Sequence, residues 1–253
     1  MKLSLFALLF LVPLWGREAD AAELTVFATG SMADPLKELA ADFTHATGNT
    51  IQFSLGTTGS VLNKLKSGEK GDVIVIADEA ANALEKDGKI APGTRKDVAR
   101  ALFGVVVKRS ATMPDVSSPE ALKKAVLAAR RISYPDPVTV AASGGYIDSV
   151  FQKMGIAHEA RKKAALKPMG YLVGEAVEKG EAELGLSFMS EFAANPNLKT
   201  VPFPDALQNP QLYAAGLYAG TPNAEAARAF IAFVTRPEAQ ARLKAAGLDP
   251  AAR

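Results

Sequence analysis

Apolar positions along this chain switch repeatedly between a spacing of two and a helical spacing, which predicts strand and helix in alternation almost from end to end. Residues 24–27 read as a short strand, and residues 32–47 as a helix whose Leu36, Leu39, Ala40 and Phe43 share one face. A strand over 51–55 and a short helix near 61–66 follow, then a β-branched run over 73–76 with the look of a fully buried strand. Residues 80–87 are predicted helical and closed by Gly88, and 102–108 form another strong strand. The order then restarts, with helices over 119–130, 146–154 and 171–179 and strands over 131–134 and 184–188. A strand-like stretch at 211–218 and helices over 225–235 and 237–246 close the chain. This order predicts an α/β fold in which mainly parallel sheets are covered by helices. Two units of similar build predict two lobes. Strands 102–108 and 212–217 are expected to carry the chain across, so that 22–104 and 215–253 make a discontinuous first lobe and 105–214 the second.

The first 21 residues depart from this pattern. A basic start at Lys2, an apolar run from Leu3 to Trp15 and the small-residue exit Ala19-Asp20-Ala21 read as a secretory signal peptide cleaved after Ala21. The run is too short for an ordinary membrane-spanning helix, and Pro13, Gly16 and Arg17-Glu18 interrupt it. The expected mature protein works in the periplasm.

Composition narrows the function classes. With 29 Lys+Arg against 27 Asp+Glu, the chain has no basic block that would mark a nucleic-acid binder. It has no cysteine, which excludes disulfides, thiolate metal sites and thiol nucleophiles. His45 and His158 stand apart from any turn glycine and read as surface residues. Neither G-x-S-x-G, a Walker loop nor G-x-G-x-x-G occurs, so no enzyme signature, cofactor or metal is expected. Asp72 and Asp78 flank a strand and read as caps of turns and helices.

What remains is a set of turns that place hydroxyls and glycine just before a helix. These are Ala28-Thr29-Gly30-Ser31, Gly56-Thr57-Thr58-Gly59-Ser60 and Ala142-Ser143-Gly144-Gly145-Tyr146. Each offers backbone N–H groups, a helix dipole and side-chain hydroxyls at the carboxyl end of a strand, where open α/β sheets bind ligands. One such turn reads as a cap, and Ser31 with Asp34 spells a capping box, S-x-x-D. Three at equivalent strand ends predict a small-anion site built from dipoles and neutral hydrogen bonds. The candidate ligand-binding residues are Gly30, Ser31, Thr57, Thr58, Gly59, Ser60, Ser143, Gly144, Gly145 and Tyr146, with Gly170, Ser187 and Phe188 beside them.

The opening Leu24-Thr25-Val26-Phe27-Ala28-Thr29-Gly30-Ser31, the Thr57-Thr58-Gly59-Ser60 turn, the run Gly71-Asp72-Val73-Ile74-Val75-Ile76-Ala77-Asp78 and the pair Asp136-Pro137 with its glycine turn resemble the periplasmic molybdate-binding proteins of ABC transporters. The resemblance covers nearly all of the mature chain. It implies a two-lobed periplasmic binding protein fold of type II, a monomer that closes on an oxyanion such as molybdate or tungstate and delivers it to an inner-membrane ABC permease. By the same resemblance, Ser31 and Thr58 are the hydroxyl donors of the first lobe and Ser143 lies in the second-lobe turn. Two departures bear on the ligand. Where those proteins have a Pro-Ala-Gly turn, this chain has Ala141-Ala142-Ser143-Gly144-Gly145, one residue longer. Where they carry a ligand-contacting tyrosine, it has Phe188, beside Ser187. A wider turn and an aromatic wall suit an organic acid. A secreted enzyme using the same cleft is a further alternative, for which the sequence offers no general base. A ligand-sensing module of a transcription regulator is disfavoured by the export signal.

Overall fold

The computed structural model describes residues 21–138 and 142–251; the expected signal peptide up to Asp20 and the turn residue Ala141 lie outside them. In chain order the first half comprises β1 (Glu23–Thr29), α1 (Ala33–Thr47), β2 (Thr50–Gly56), α2 (Thr58–Lys66), β3 (Val73–Ala77), α3 (Asp78–Lys86), β4 (Lys96–Ala101) and β5 (Phe103–Lys108). Then come α4 (Pro119–Ala128), β6 (Ile132–Pro135), α5 (Ala142–Lys153), α6 (Ala157–Lys162), β7 (Ala164–Lys167), α7 (Tyr171–Lys179) and β8 (Leu184–Phe188). The chain finishes with β9 (Leu198–Pro202), β10 (Gln211–Leu217), α8 (Ala224–Thr235), α9 (Pro237–Ala245) and β11 (Leu248–Pro250).

These strands form two sheets, ordered β11-β4-β10-β3-β1-β2 and β7-β6-β8-β5-β9. The all-apolar strand β3, buried at every position, lies inside the first sheet, and the half-exposed β2 lies at its edge. Both sheets are mixed, a difference from the mainly parallel expectation: β1 pairs parallel with β2 and β3, but β10 runs antiparallel to β3 and β4, and β5 antiparallel to β8 and β9. β5 and β10 each follow a passage from the other sheet, with no crossover helix to restore the parallel direction. Those passages run through Leu102 and through the segment between Pro202 and Gln211. Connections, not strands, therefore cross, and the expected limits at 104/105 and 214/215 fall inside β5 and β10. Gln208 ties the two passages together: its Oε1 accepts from Phe103 N at 3.1 Å and its Nε2 donates to Phe103 O at 2.7 Å.

Local chemistry sets the helix ends. Ser118 accepts from Ala121 N at 3.1 Å with Pro119 following, and α1 stops at Gly48, whose φ of 78° suits a residue without a Cβ. Phe43 of α1 packs edge-on against Phe230 and Phe233 of α8, at 5.2 and 5.4 Å between ring centroids, so the last third of the chain seals the first sheet. Phe103, at the point where β5 enters the second sheet, meets Tyr146, Phe188 and Phe203 at 4.6, 4.4 and 5.9 Å.

Asp72, read in the sequence as a cap, is a buried cross-tie. Its carboxylate accepts from Thr25 N at 2.7 Å, from the Thr221 hydroxyl and from Asn223 Nδ2 at 3.2 Å, joining β1 to the return after β10. Asp72→Ala strands these donors together and should cost about 2 kcal/mol in urea unfolding. A loss below about 0.5 kcal/mol would show the tie to be ornamental.

Candidate functional site

The carboxyl ends of β1 and β2 and the loops of the second sheet face one another across a cleft lined by Thr29, Gly30, Ser31, Gly56, Thr57, Thr58, Ser143, Met169, Gly170, Phe188, Glu191 and Tyr213. Its cavity volume is about 40 Å³, and it opens toward solvent. Four helix starts converge here: the turn Gly30–Met32 leading into α1, then α2 at Thr58, α5 beside Ser143, and α7 just after Gly170. Their N–H groups and dipoles make the cleft positive without a cation. No lysine or arginine lines it among the described residues.

The hydroxyls divide into those already engaged and those that face the cleft. Thr57 Oγ1 accepts from Ser60 N at 3.1 Å, and the Ser60 hydroxyl donates to Thr57 O at 3.0 Å, so both serve the start of α2. Thr58 lines the cleft with no such engagement among the described residues. The capping box read from Ser31 and Asp34 is not formed. Ser31 instead donates to the Tyr213 hydroxyl at 2.7 Å, and Asp34 pairs with Lys37 at 3.2 Å. Burial raises the pKa of Tyr213, which keeps its hydroxyl protonated. The Thr29 hydroxyl beside it is buried without a well-formed hydrogen bond.

Of the residues singled out in the sequence, Gly30, Ser31, Thr57, Thr58, Ser143, Gly170 and Phe188 come together at the cleft. Gly59, Ser60, Gly144, Gly145, Tyr146 and Ser187 do not line it. Gly144 lets the first turn of α5 pack on the backbone of Pro135 and Asp136. The Tyr146 hydroxyl donates to Leu207 O at 3.0 Å, and the ring packs on Phe103. Phe188 is buried against Phe103, so it walls the cleft without supplying a donor. The nearby Tyr213 hydroxyl enters instead from β10, on the opposite sheet.

Glu191 was invisible to the sequence reading. It lies in the short turn that follows β8, is half-buried, and lines the cleft. Ser187 donates to its Oε2, and a Cβ on Gly170 would overlap the carboxyl. Desolvation pushes its pKa up to about 7, against the opposing pull of the Ser187 hydroxyl and the Phe188 N–H. Its signal was an acidic residue just past the carboxyl end of a strand, three positions beyond Phe188. The cleft continues past Glu191 into an outer space of about 340 Å³ lined by Gly30, Lys37, Leu55, Met169 and Tyr171 among others, with Glu191 on both walls. His45 and His158 are exposed on α1 and α6. No group of His, Cys, Asp and Glu able to hold a metal occurs among the described residues. A separate hollow between α1 and α9 has mixed-charge walls of Asp34, Glu38 and Arg242, and no set of helix starts converges on it.

Comparison with known proteins agrees with this architecture. Residues 24–249 match the model of the family described as bacterial extracellular solute-binding protein. The chain is 30% identical over 234 residues to an aconitate isomerase from Pseudomonas sp, spanning 90% of this chain and 87% of that one. It is 26% identical over 226 residues to the molybdate-binding protein ModA of Escherichia coli K12, spanning 87% and 86%. Among solved structures, the periplasmic molybdate-binding protein of Azotobacter vinelandii superposes with a TM-score of 0.74 at 23% identity, covering 89% of this chain and 98% of that one.

Proposed function

The chain belongs to the bacterial extracellular solute-binding proteins, and from that premise we propose that it captures a small organic acid in the cleft between its two lobes. The observation that carries the reading is the convergence of four helix starts, from both sheets, on one inner cleft with no lysine or arginine among its described lining residues. Ser31, Thr58 and Ser143, with the nearby N–H groups, hold a carboxylate by neutral hydrogen bonds, and Tyr213 supports Ser31. Because such a ligand touches both lobes, it stabilises a closed form over an open one. The protein works in the periplasm as a monomer and hands its ligand to an inner-membrane ABC permease.

The choice of an organic acid over a tetrahedral oxyanion rests on shape. Phe188 supplies no hydroxyl, and an outer space reaching Lys37 adjoins the small inner cleft at Glu191, room for the carbon chain of an organic acid. The likeness to an aconitate isomerase points to the same ligand class. A second reading, molybdate or tungstate, is favoured by the molybdate-binding relative.

A thermal-shift screen with molybdate, tungstate, sulfate, malate, citrate and cis- and trans-aconitate separates the two. A ligand at a hundred times its Kd adds about 2.7 kcal/mol of stability. The expected result is stabilisation by one or more carboxylates, with Ser31→Ala and Thr58→Ala each weakening binding about tenfold. Stabilisation by molybdate and tungstate alone establishes the second reading. No stabilisation by any of them removes both.

A further inference from the structure

We propose that the cleft is catalytic, with the Glu191 carboxylate moving a proton between two carbons of a bound unsaturated polycarboxylate. The inference rests on the organic-acid reading above and adds a reaction to it. Glu191 lines both the inner and outer parts of the cleft, so a ligand long enough to occupy both runs beside this residue. The side chain is held in place: Ser187 donates to Oε2, and the carboxyl packs against the backbone of Gly170, where any larger residue would collide with it. No lysine or arginine among the described lining residues of the inner cleft pairs with it, so its basicity is not spent on an ion pair. Burial also brings its proton affinity close to neutrality, where a general base is both deprotonated and strong enough to act.

The step balances within the ligand and this one residue. Glu191 takes the proton from a methylene carbon that lies between a C=C bond and a carboxylate. The C–H electron pair becomes a new C=C bond to the middle carbon, and the old C=C pair moves to the far carbon and is delocalised onto its carboxylate. That extra negative charge develops on oxygen atoms held by the N–H groups and hydroxyls at the helix starts, which therefore bind this carbanion more tightly than the ground state. The Glu191 acid then returns the proton to the far carbon. A C–H bond forms there, the double bond has moved by one position, and Glu191 is again a carboxylate. No water, oxidant or cofactor enters the balance.

Proton NMR in D₂O with cis-aconitate tests this directly, alongside thermal shift of the same samples. The wild-type protein should incorporate deuterium at the allylic methylene and produce the trans isomer, both far above a protein-free control. Glu191→Gln should retain stabilisation by the ligand and lose exchange and isomerisation by about a hundredfold or more. Glu191→Asp, which keeps the carboxyl but shortens its reach, should fall between the two. Stabilisation of the wild type without exchange or isomerisation overturns catalysis and leaves the binding function standing. Exchange at the wild-type rate in folded Glu191→Gln also overturns it. Absence of stabilisation by every carboxylate removes the organic-acid reading and this proposal with it.

Discussion

Glu191→Gln is expected to raise stability by about 3 kcal/mol at pH 8 and to leave it nearly unchanged at pH 4.5. The native carboxyl is pushed up to about 7 by burial, whereas in the unfolded chain it returns toward 4.5. Between those values the folded protein holds a proton that the unfolded chain releases, so stability is greatest at the acid end and falls as the pH rises toward 7. Above 7 the loss is complete. A shift of this size corresponds to about 3 kcal/mol by linkage. Glutamine keeps an acceptor for Ser187 but cannot ionise, so it removes the whole pH-dependent loss. Urea unfolding of both proteins at pH 5, 6, 7 and 8 should show a stability difference that grows up to about pH 7 and then levels off. Parallel curves would mean that water or an unseen partner solvates the carboxyl in the native state. A residue that weakens the fold while facing a ligand cleft is the pattern expected of a functional group.

Gly144→Ala is expected to destabilise the protein by about 3 kcal/mol, through backbone crowding. An added Cβ would overlap the carbonyl oxygen of Pro135 and lie 2.8 Å from that of Asp136, neither of which can rotate away as a side chain does. Relief would require moving the start of α5 off the end of β6, and that would also carry Ser143 out of the cleft. Ligand binding should therefore fall together with stability. Its neighbour is an internal control. A Cβ on Gly145 meets nothing within 4 Å, so Gly145→Ala should be neutral or gain up to about 1 kcal/mol from helix propensity. Equal behaviour of the two variants in urea unfolding would contradict the packing argument.

The contrast between these two glycines shows what could be read from sequence and what could not. The three hydroxyl-glycine turns were legible because capping and anion binding are local, written within five residues of one another. Which glycine serves the ligand and which serves packing depends on what lies above it, and only the assembled structure supplies that. β1, β3, β5 and β8 announced themselves as apolar or β-branched runs. β4, β7, β9 and β11 did not: Lys96-Asp97 open β4, β7 and β9 are half-exposed edges, and β11 has three residues. α6 was hidden by being six residues long. Tyr213 and Glu191 escaped for a different reason. Ser31 and Tyr213 are 182 positions apart, and nothing in the spacing of either signals that they meet. The expected capping box at Ser31 failed because a hydroxyl free to choose took the buried phenol over a helix end.

The position of β10 between β3 and β4 also governs how the molecule assembles. The second sheet comes from one continuous stretch, β5 to β9, and can pair as soon as that stretch is free. The first sheet cannot, because β3 and β4 have no direct contact as neighbours and wait for a strand that follows the entire second sheet. Until β10 arrives, the Val73-Ile74-Val75-Ile76 edge is an open template for pairing with another chain. The insertion of β10 is therefore the expected slow step of folding, and a substitution that weakens β10 pairing should slow refolding in stopped-flow measurements.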